Sequence, residues 1–478
     1  MIEARHRIGG AWQDGGDRNE VRSPGNLAQV LGTWPAGGPD AVAAAAAARE
    51  AFGPWRRMSG PERGNRLYAI AAALEARADE LATLAASEMG KPIGEARGEA
   101  ARAVALFRYY AGEGSRAVGD VIPAQRADTL QYTVRVPLGV VGAITPWNFP
   151  LAIPAWKIAP ALAYGNTVVF KPAEWSSLTA FRLVETIAAH LPEGVLNLVL
   201  GTGREAGAAL VQSPDVAAVT FTGSGAVGQG IARTAIARGA KYQLEMGGKN
   251  PVIVAADADI DLAVELTLSG AMRSAGQKCT ATSRAIVLAS VREAFTQALS
   301  ARIRAMRPGD PLEADTYLGP VVSRPQYDKV LAAIGGGREA GARLVAGGEA
   351  AAPAGREGYY IAPTLFDEVA PDTALFQEEI FGPVVGVTEA RDLDEAIAFA
   401  NAVRYGLSAS VFTRNLETAL RCVDELEVGM VRVNEETAGV ELQAPFGGVK
   451  ASSSHSREQG RAALEFFTHT RTVAIRPH

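Results

Sequence analysis

Cysteine and histidine are scarce: 478 residues carry two cysteines, Cys279 and Cys422, and five histidines, at 6, 190, 455, 469 and 478. Two cysteines in so long a chain build no disulfide framework, and the histidines show no metal-ligand spacing. A reducing compartment and no structural metal are expected. Blocks of basic residues are missing too. The 47 Lys and Arg are dispersed and the net charge is -5, which argues against a general binder of polyanions, nucleic acid included. The N-terminus, Met1-Ile2-Glu3-Ala4-Arg5-His6-Arg7, lacks the apolar stretch of a secretory signal, so a cytoplasmic protein is expected. One uncharged stretch, 137–156, has the length of a membrane span. Pro137, Pro146, Pro150 and Pro154, with Gly139, Gly142 and Asn148, interrupt it, and 138–144 reads instead as a buried strand ending in a turn. No membrane segment is expected.

The length exceeds what one hydrophobic core serves, so two or three domains are expected. The first hundred residues look helical, notably 40–52 with its alanine run and 61–88, where Leu67, Ile70, Leu74, Leu81 and Leu84 recur at helical spacing. From 139 to 248 short apolar runs at 140–144, 167–170, 195–200, 216–221 and 242–246 alternate with helical stretches. Runs buried on both faces and joined by helices predict a parallel doubly wound sheet of about five strands. Such sheets bind ligands at the carboxyl ends of their strands. A second α/β unit is predicted from 250–255 through 408–413 to 429–434, and Cys279 sits in it. The segments 130–136 and 472–476 read as exposed, unpaired strands outside either core, open to pairing with another subunit.

Residues with chemistry cluster in a few motifs. Phe221-Thr222-Gly223-Ser224-Gly225-Ala226-Val227-Gly228 follows a predicted strand and opens a helix, the G-x-G-x-x-G pattern that brings a helix N-terminus up to a diphosphate. Glu245 lies 22 residues beyond Gly223, and on that spacing alone it holds a ribose; an ordinary tight strand-to-helix turn is the rival reading. Lys171-Pro172-Ala173-Glu174 closes the second strand where a ribose would lie, although solvated Lys and Glu commonly follow a strand. Cys279 alone reads as a small buried hydrophobe. Its polar setting, Gly276-Gln277-Lys278-Cys279-Thr280, reverses that, since a neighbouring Lys favours thiolate; Lys278 could equally point to solvent. Cys422, on a predicted helix, fits a core position. Asn148, in Pro146-Trp147-Asn148-Phe149-Pro150, can donate its side-chain amide to an oxyanion or cap the next helix.

With Glu245-Met246-Gly247-Gly248-Lys249, Glu378-Glu379-Ile380-Phe381-Gly382-Pro383 and Pro445-Phe446-Gly447-Gly448-Val449-Lys450 added, the chain resembles the aldehyde dehydrogenase superfamily over essentially its whole length. The resemblance implies an α/β fold: a Rossmann-type parallel-sheet cofactor domain (1–118 and 139–247), an α/β catalytic domain (248–448) and a small β oligomerisation arm (119–138 and 460–478). It implies Cys279 as nucleophile, Asn148 and a backbone N–H as oxyanion donors, Lys157 in proton transfer, and Glu245 as the base aimed at the cysteine instead of a ribose. A thiolate adding to a carbonyl, an amide steadying the oxyanion and a carboxylate activating water suit aldehyde oxidation through a thioester. Implied cofactor contacts are Ile144, Thr145, Pro146, Trp147, Lys171, Glu174, Gly203, Phe221, Thr222, Gly223, Ser224 and Gly228, with Glu379 on the nicotinamide ribose and Phe381 beside the nicotinamide. Gly225 departs from the family, where Thr is common. A carboxylate at Glu174 repels a 2′-phosphate, so NAD is expected ahead of NADP.

Within the superfamily, 276–284 and 445–460 resemble the α-ketoglutaric semialdehyde (2,5-dioxopentanoate) branch. Arg273, six residues before Cys279, matches an arginine that binds the substrate carboxylate in succinic semialdehyde dehydrogenases. The second arginine of those enzymes is replaced by Trp156. Two readings stay open: Arg273 as a carboxylate contact or as a surface helix residue, and Phe149, Trp156 and Phe446 as an apolar tunnel for general aldehydes. A CoA-acylating relative would lack Glu245, and a non-catalytic one would have lost Cys279, Asn148 or Glu245; all three are present. The expected partners are a small aldehyde and other copies of the chain, as a homodimer or homotetramer.

Overall fold

A computed structural model describes residues 1–36, 40–116 and 118–477; His478 lies outside the described residues. Its first large sheet is built around Val140–Ile144, a five-residue strand buried throughout. Thr167–Lys171 pairs with it on one side and Leu196–Leu198 lies beyond; Val216–Thr222 pairs on the other side and Lys241–Glu245 lies beyond, all in parallel. Alternate residues serve opposite faces. Val141, Ala143, Val168 and Phe170 join the core formed with the helices Gly60–Ala76, Ile93–Glu113 and Ala152–Ala163, while Val140, Ile144, Val169 and Val219 pack on Asp40–Arg57. Both faces are covered, which is why these strands read as unbroken apolar runs. The chain leaves the central strand first to one side and later to the other, and the crevice at that reversal is where an open α/β sheet takes a ligand.

The N-terminus corrects the helical expectation. Residues 2–35 form strands: His6–Ile8 joins the sheet antiparallel to Leu196–Leu198, Ala11–Gln13 extends it to seven strands, and Ile2–Glu3, Arg18–Ser23 and Asn26–Pro35 make a separate three-stranded sheet. Most are too short for a period to be read. The stretch 61–88 is helical as expected and is divided into two helices, Gly60–Ala76 and Ala78–Met89. Ser59 and Glu62 form a capping box that starts the first, and Arg77 leaves helical geometry between them.

The second sheet centres on Asn250–Val254 and Thr282–Leu288, flanked by Ser408–Phe412 and Met430–Val433 on one side and Val384–Ala390, Thr364–Asp367 and Arg343–Ala346 on the other. Cys279 lies in the turn between helix Ile260–Met272 and strand Thr282–Leu288. That turn is tight: Ser274, Ala275 and Gly276 all have positive φ, and a Cβ on Gly276 would come within 2.0 Å of the Gly382 carbonyl oxygen.

A third, small sheet corrects the expectation of unpaired strands at 130–136 and 472–476. Thr468–Ile475 runs antiparallel to Leu130–Pro137 along its whole length, with Val121–Ile122 on the far side. Among the described residues no helix is long and apolar enough to cross a membrane. The uncharged stretch at 137–156 becomes strand Val140–Ile144, a turn and the start of helix Ala152–Ala163.

Candidate active site

At the reversal point of the first sheet lies a cavity of about 550 Å³. Ile144, Thr145, Pro146 and Trp147 enter it from the end of the central strand, Lys171 and Glu174 from the next, Phe221, Thr222, Gly223 and Ser224 from the end of Val216–Thr222, and Gly203 from the rim. Helix Gly225–Ala237 starts there with no side-chain cap, which leaves its first N–H groups for an anion. Glu174 Oε1 accepts from the Gly203 N–H at 3.3 Å. Burial brings Lys171 down to about 8, with Glu174 opposing the shift. A diphosphate at the helix start and ribose hydroxyls at Lys171 and Glu174 match this donor and acceptor set, so the residues fit a dinucleotide. Gly228 does not line the cavity: a Cβ there would meet Met246 Sδ at 2.6 Å, so it lets the helix pack onto the sheet.

A second cavity of about 170 Å³ shares Trp147, Thr222, Gly223 and Ser224 with the first and is lined by Asn148, Cys279, Glu379 and Phe381. The two large sheets therefore meet at the thiol. Phe381, at φ 62, stands edge-on to Trp147 with ring centroids 5.5 Å apart. Glu379 folds over Gly247-Gly248 and accepts from the Gly248 N–H at 3.1 Å. Asn148 is buried, and its Nδ2 donates to the Gln277 carbonyl at 2.9 Å, two residues before the cysteine. That bond uses one amide proton and fixes the direction of the other.

Half-buried Cys279 has its thiol pushed up to about 12 by burial, then by Glu379 and Glu245, against the backbone N–H groups of Thr280 and Cys279. The expected help from Lys278 is absent. Its side chain is buried, neither in solvent nor among the groups acting on the thiol, and it faces Glu95 and Glu436 instead. Cys422 is fully buried in the core between helix Leu416–Glu425 and the second sheet.

Glu245 ends strand Lys241–Glu245 with its carboxylate away from the dinucleotide cavity. Oε2 accepts from Ser453 Oγ at 2.6 Å, and Oε1 is buried without a partner. Burial and the nearby Glu458 raise its pKa well above the ordinary carboxylate range, against Ser453 and Lys157. Lys157 Nζ donates to Thr220 Oγ1 at 2.9 Å and forms a fully buried ion pair with Glu458. Glu458 escaped sequence reasoning. Its partner lies 301 residues away, and no local pattern marks an acid on a turn as buried.

Of the expected substrate contacts, Trp156 and Phe446 lie with ring centroids 5.5 Å apart, and Cys279 packs against the cluster that Phe446 forms with Leu407 and Met430. Phe149 lies beneath Lys91 Nζ, 4.0 Å from its ring centre. Arg273 is exposed and sits over the Tyr317 ring at 5.7 Å, outside the thiol cavity. Among the described residues no group of three or more His, Cys, Asp or Glu could hold a metal ion.

A doubly wound cofactor crevice opening onto a thiol, with an amide donor and a buried carboxylate beside it, defines an oxidoreductase that works through a covalent cysteine intermediate. The aldehyde dehydrogenase family matches residues 12–473, and the chain belongs to it; it is an NAD(P)-dependent aldehyde dehydrogenase. It is 50% identical over 475 residues to the alpha-ketoglutaric semialdehyde dehydrogenase of Bacillus subtilis, covering 98% of this chain and 97% of that one. Identity to the 2,5-dioxopentanoate dehydrogenase of Saccharolobus solfataricus is 44% over 426 residues, 88% of each chain. The crystal structure of an NAD-dependent aldehyde dehydrogenase from Sinorhizobium meliloti matches with a TM-score of 0.96 at 39% identity, covering 99% of this chain and 95% of that one.

Proposed function

We propose that the chain oxidises 2,5-dioxopentanoate (α-ketoglutaric semialdehyde) to 2-oxoglutarate without coenzyme A, using NAD ahead of NADP. The observation that carries the substrate is the 50% identity over 98% of the chain to a protein named for it. In the reaction Cys279 Sγ adds to the aldehyde carbon, and the oxyanion accepts from the free Asn148 Nδ2–H and the Cys279 backbone N–H. A nicotinamide dinucleotide in the adjoining crevice supplies the hydride acceptor. The thioester left on Cys279 is opened by water whose proton Glu245 takes at Oε1, the oxygen that Ser453 leaves free. A carboxylate with a raised pKa is the stronger base for that step. Lys157 steadies the charge on Glu245, the neighbouring Glu458 opposes it, and the buried pair passes the proton on.

The proposal includes the division of the chain into cofactor domain (1–118 and 139–247), catalytic domain (248–448) and arm. Kinetics with a panel of aldehydes tests it: kcat/KM is expected to be highest for 2,5-dioxopentanoate and indifferent to coenzyme A. Equal kcat/KM for pentanal would overturn the substrate, and dependence on coenzyme A the hydrolytic step. For the cofactor, Glu174→Ser is expected to raise NADP use relative to NAD about tenfold, because it removes a charge that repels the 2′-phosphate. An unchanged ratio would mean that Glu174 does not read the ribose.

A further inference from the structure

Helix Ile93–Glu113 buries one face along its length. Glu95, Glu99 and Arg102 stand at i, i+4 and i+7 on it. Glu95 accepts from the Ser274 N–H at 2.8 Å, ahead of the cysteine turn, and Glu99 accepts from the Leu151 and Ala152 N–H groups at 2.7 and 2.9 Å, where the helix bearing Trp156 begins. The third member is a cation. Arg102 is half-buried; its guanidinium donates at 2.7 Å to Gln459 Oε1, a neutral amide, while the Glu441 carboxylate acts on it through charge without a hydrogen bond.

Two buried donors, one of them on Gln459 itself, have no acceptor. Gln459 is fully buried, and its Nε2 makes no hydrogen bond; Trp156 is 8% exposed, and its Nε1 makes none. An unpaired buried N–H costs free energy unless something accepts from it. Gln459 is held at φ 62, a conformation a non-glycine residue keeps only when its surroundings impose it. The thiol, packed against the cluster of Leu407, Met430 and Phe446, connects to this group through Phe446, whose ring lies tilted beside Trp156 and whose backbone exchanges hydrogen bonds of 2.7 and 2.8 Å with Glu458, the neighbour of Gln459.

We propose that Arg102, the Gln459 amide and the Trp156 indole N–H receive the acid end of the substrate, making Arg102 a specificity determinant and leaving Arg273 outside the site. The inference rests on the acid-aldehyde reading above. A carboxylate takes the guanidinium, and the adjacent 2-oxo group takes the remaining donors; both are acceptors only, as unpaired donors require. A neutral aldehyde leaves the Gln459 amide and the Trp156 indole N–H unsatisfied and brings no charge to the guanidinium, and a polar site rejects such an analogue strongly.

The test reads one ratio, kcat/KM for 5-oxopentanoate over kcat/KM for pentanal, which have equal chain length and differ in the acid. In Arg102→Met the ratio is expected to fall about 10²-fold, chiefly through KM of the acid substrate, and in Gln459→Met roughly tenfold. Arg102→Lys is expected to recover part of the loss by restoring the charge. If Arg102→Met does not fold, Gln459→Met and Arg102→Lys, with titration of 2-oxoglutarate into each, decide. A wild-type preference for the acid that survives in these variants and collapses in Arg273→Gln overturns the assignment while the proposed function stands. A wild-type ratio near one overturns both.

Discussion

A thiol pushed up to about 12 is a poor nucleophile until a base or a rearranged charge lowers the cost of losing its proton. Two of the causes are carboxylates, Glu379 and Glu245, and they differ in what they can do. Glu379 lines the same cavity as Phe381 on the cofactor side, so its charge beside the thiol belongs to the cofactor-free enzyme. Below its pKa a thiol gains thiolate tenfold per pH unit. Alkylation of Cys279 by iodoacetamide, with Cys279→Ala as background, is therefore expected to rise about tenfold per unit from roughly pH 7 to 9. Glu379→Gln should speed it at any one pH. A flat profile would mean the thiolate is already formed. Glu245 had two incompatible readings in the sequence, ribose ligand by spacing and base by context; its carboxylate lies on Ser453, away from the dinucleotide cavity. Glu245→Gln is expected to give a stoichiometric burst of reduced cofactor and an acyl adduct on Cys279, with turnover down on the order of 10² to 10⁴. A raised KM for NAD with neither burst nor adduct would restore the ribose role. Residue identities at the thiol were legible because each sits in a short motif. The direction of Lys278 and the partner of Lys157 were not, since both depend on residues far away in the chain.

The elements that carry these residues are held by buried charges at their ends. Glu99 lies on helix Ile93–Glu113, accepts the first N–H groups ahead of helix Ala152–Ala163, and pairs with Lys91 where both side chains are almost wholly buried. An anion at a helix start satisfies donors that the helix itself cannot. Removing it leaves those donors and the Lys91 charge unpaired. Glu99→Ala is expected to cost about 3–5 kcal/mol in urea unfolding and to lower kcat, because Trp156 and Lys157 ride on the released helix. A loss within about 1 kcal/mol, the level of an ordinary surface change, would contradict that account. Five parallel strands of the first large sheet and three of the second, Asn250–Val254, Ser408–Phe412 and Met430–Val433, were legible as apolar runs, whereas Thr282–Leu288, Val384–Ala390, Thr364–Asp367 and Arg343–Ala346 were not read. The N-terminal strands were not: His6–Ile8 and Ala11–Gln13 have three residues each, the first existing by pairing with Leu196–Leu198, nearly two hundred positions on, and the second by pairing with the first. Pairing partners, not local propensity, decide such strands.

At the scale of the molecule, the thiol comes from one sheet and the cofactor crevice from the other, while the third sheet serves neither. Thr468–Ile475 is an edge strand of eight residues whose partner, Leu130–Pro137, occupies one side only. Exposed apolar groups cluster on this sheet: Leu130 at 52%, Ile475 at 51% and Val121 at 78%. An exposed edge of that length is a template for another chain and is normally covered. The expectation that these strands serve assembly therefore survives the finding that they pair with each other, because the pairing leaves an edge open. Deleting 468–478 is expected to lower the assembly state in sedimentation equilibrium. The deletion also removes the Thr468 carbonyl that Lys241 Nζ holds at 3.1 Å, so a second variant, Val473→Pro, is needed to disturb the edge and leave that contact in place. Both should shift the protein toward smaller species at low micromolar concentration. Full-length protein that sediments as a monomer there would remove the arm's role altogether.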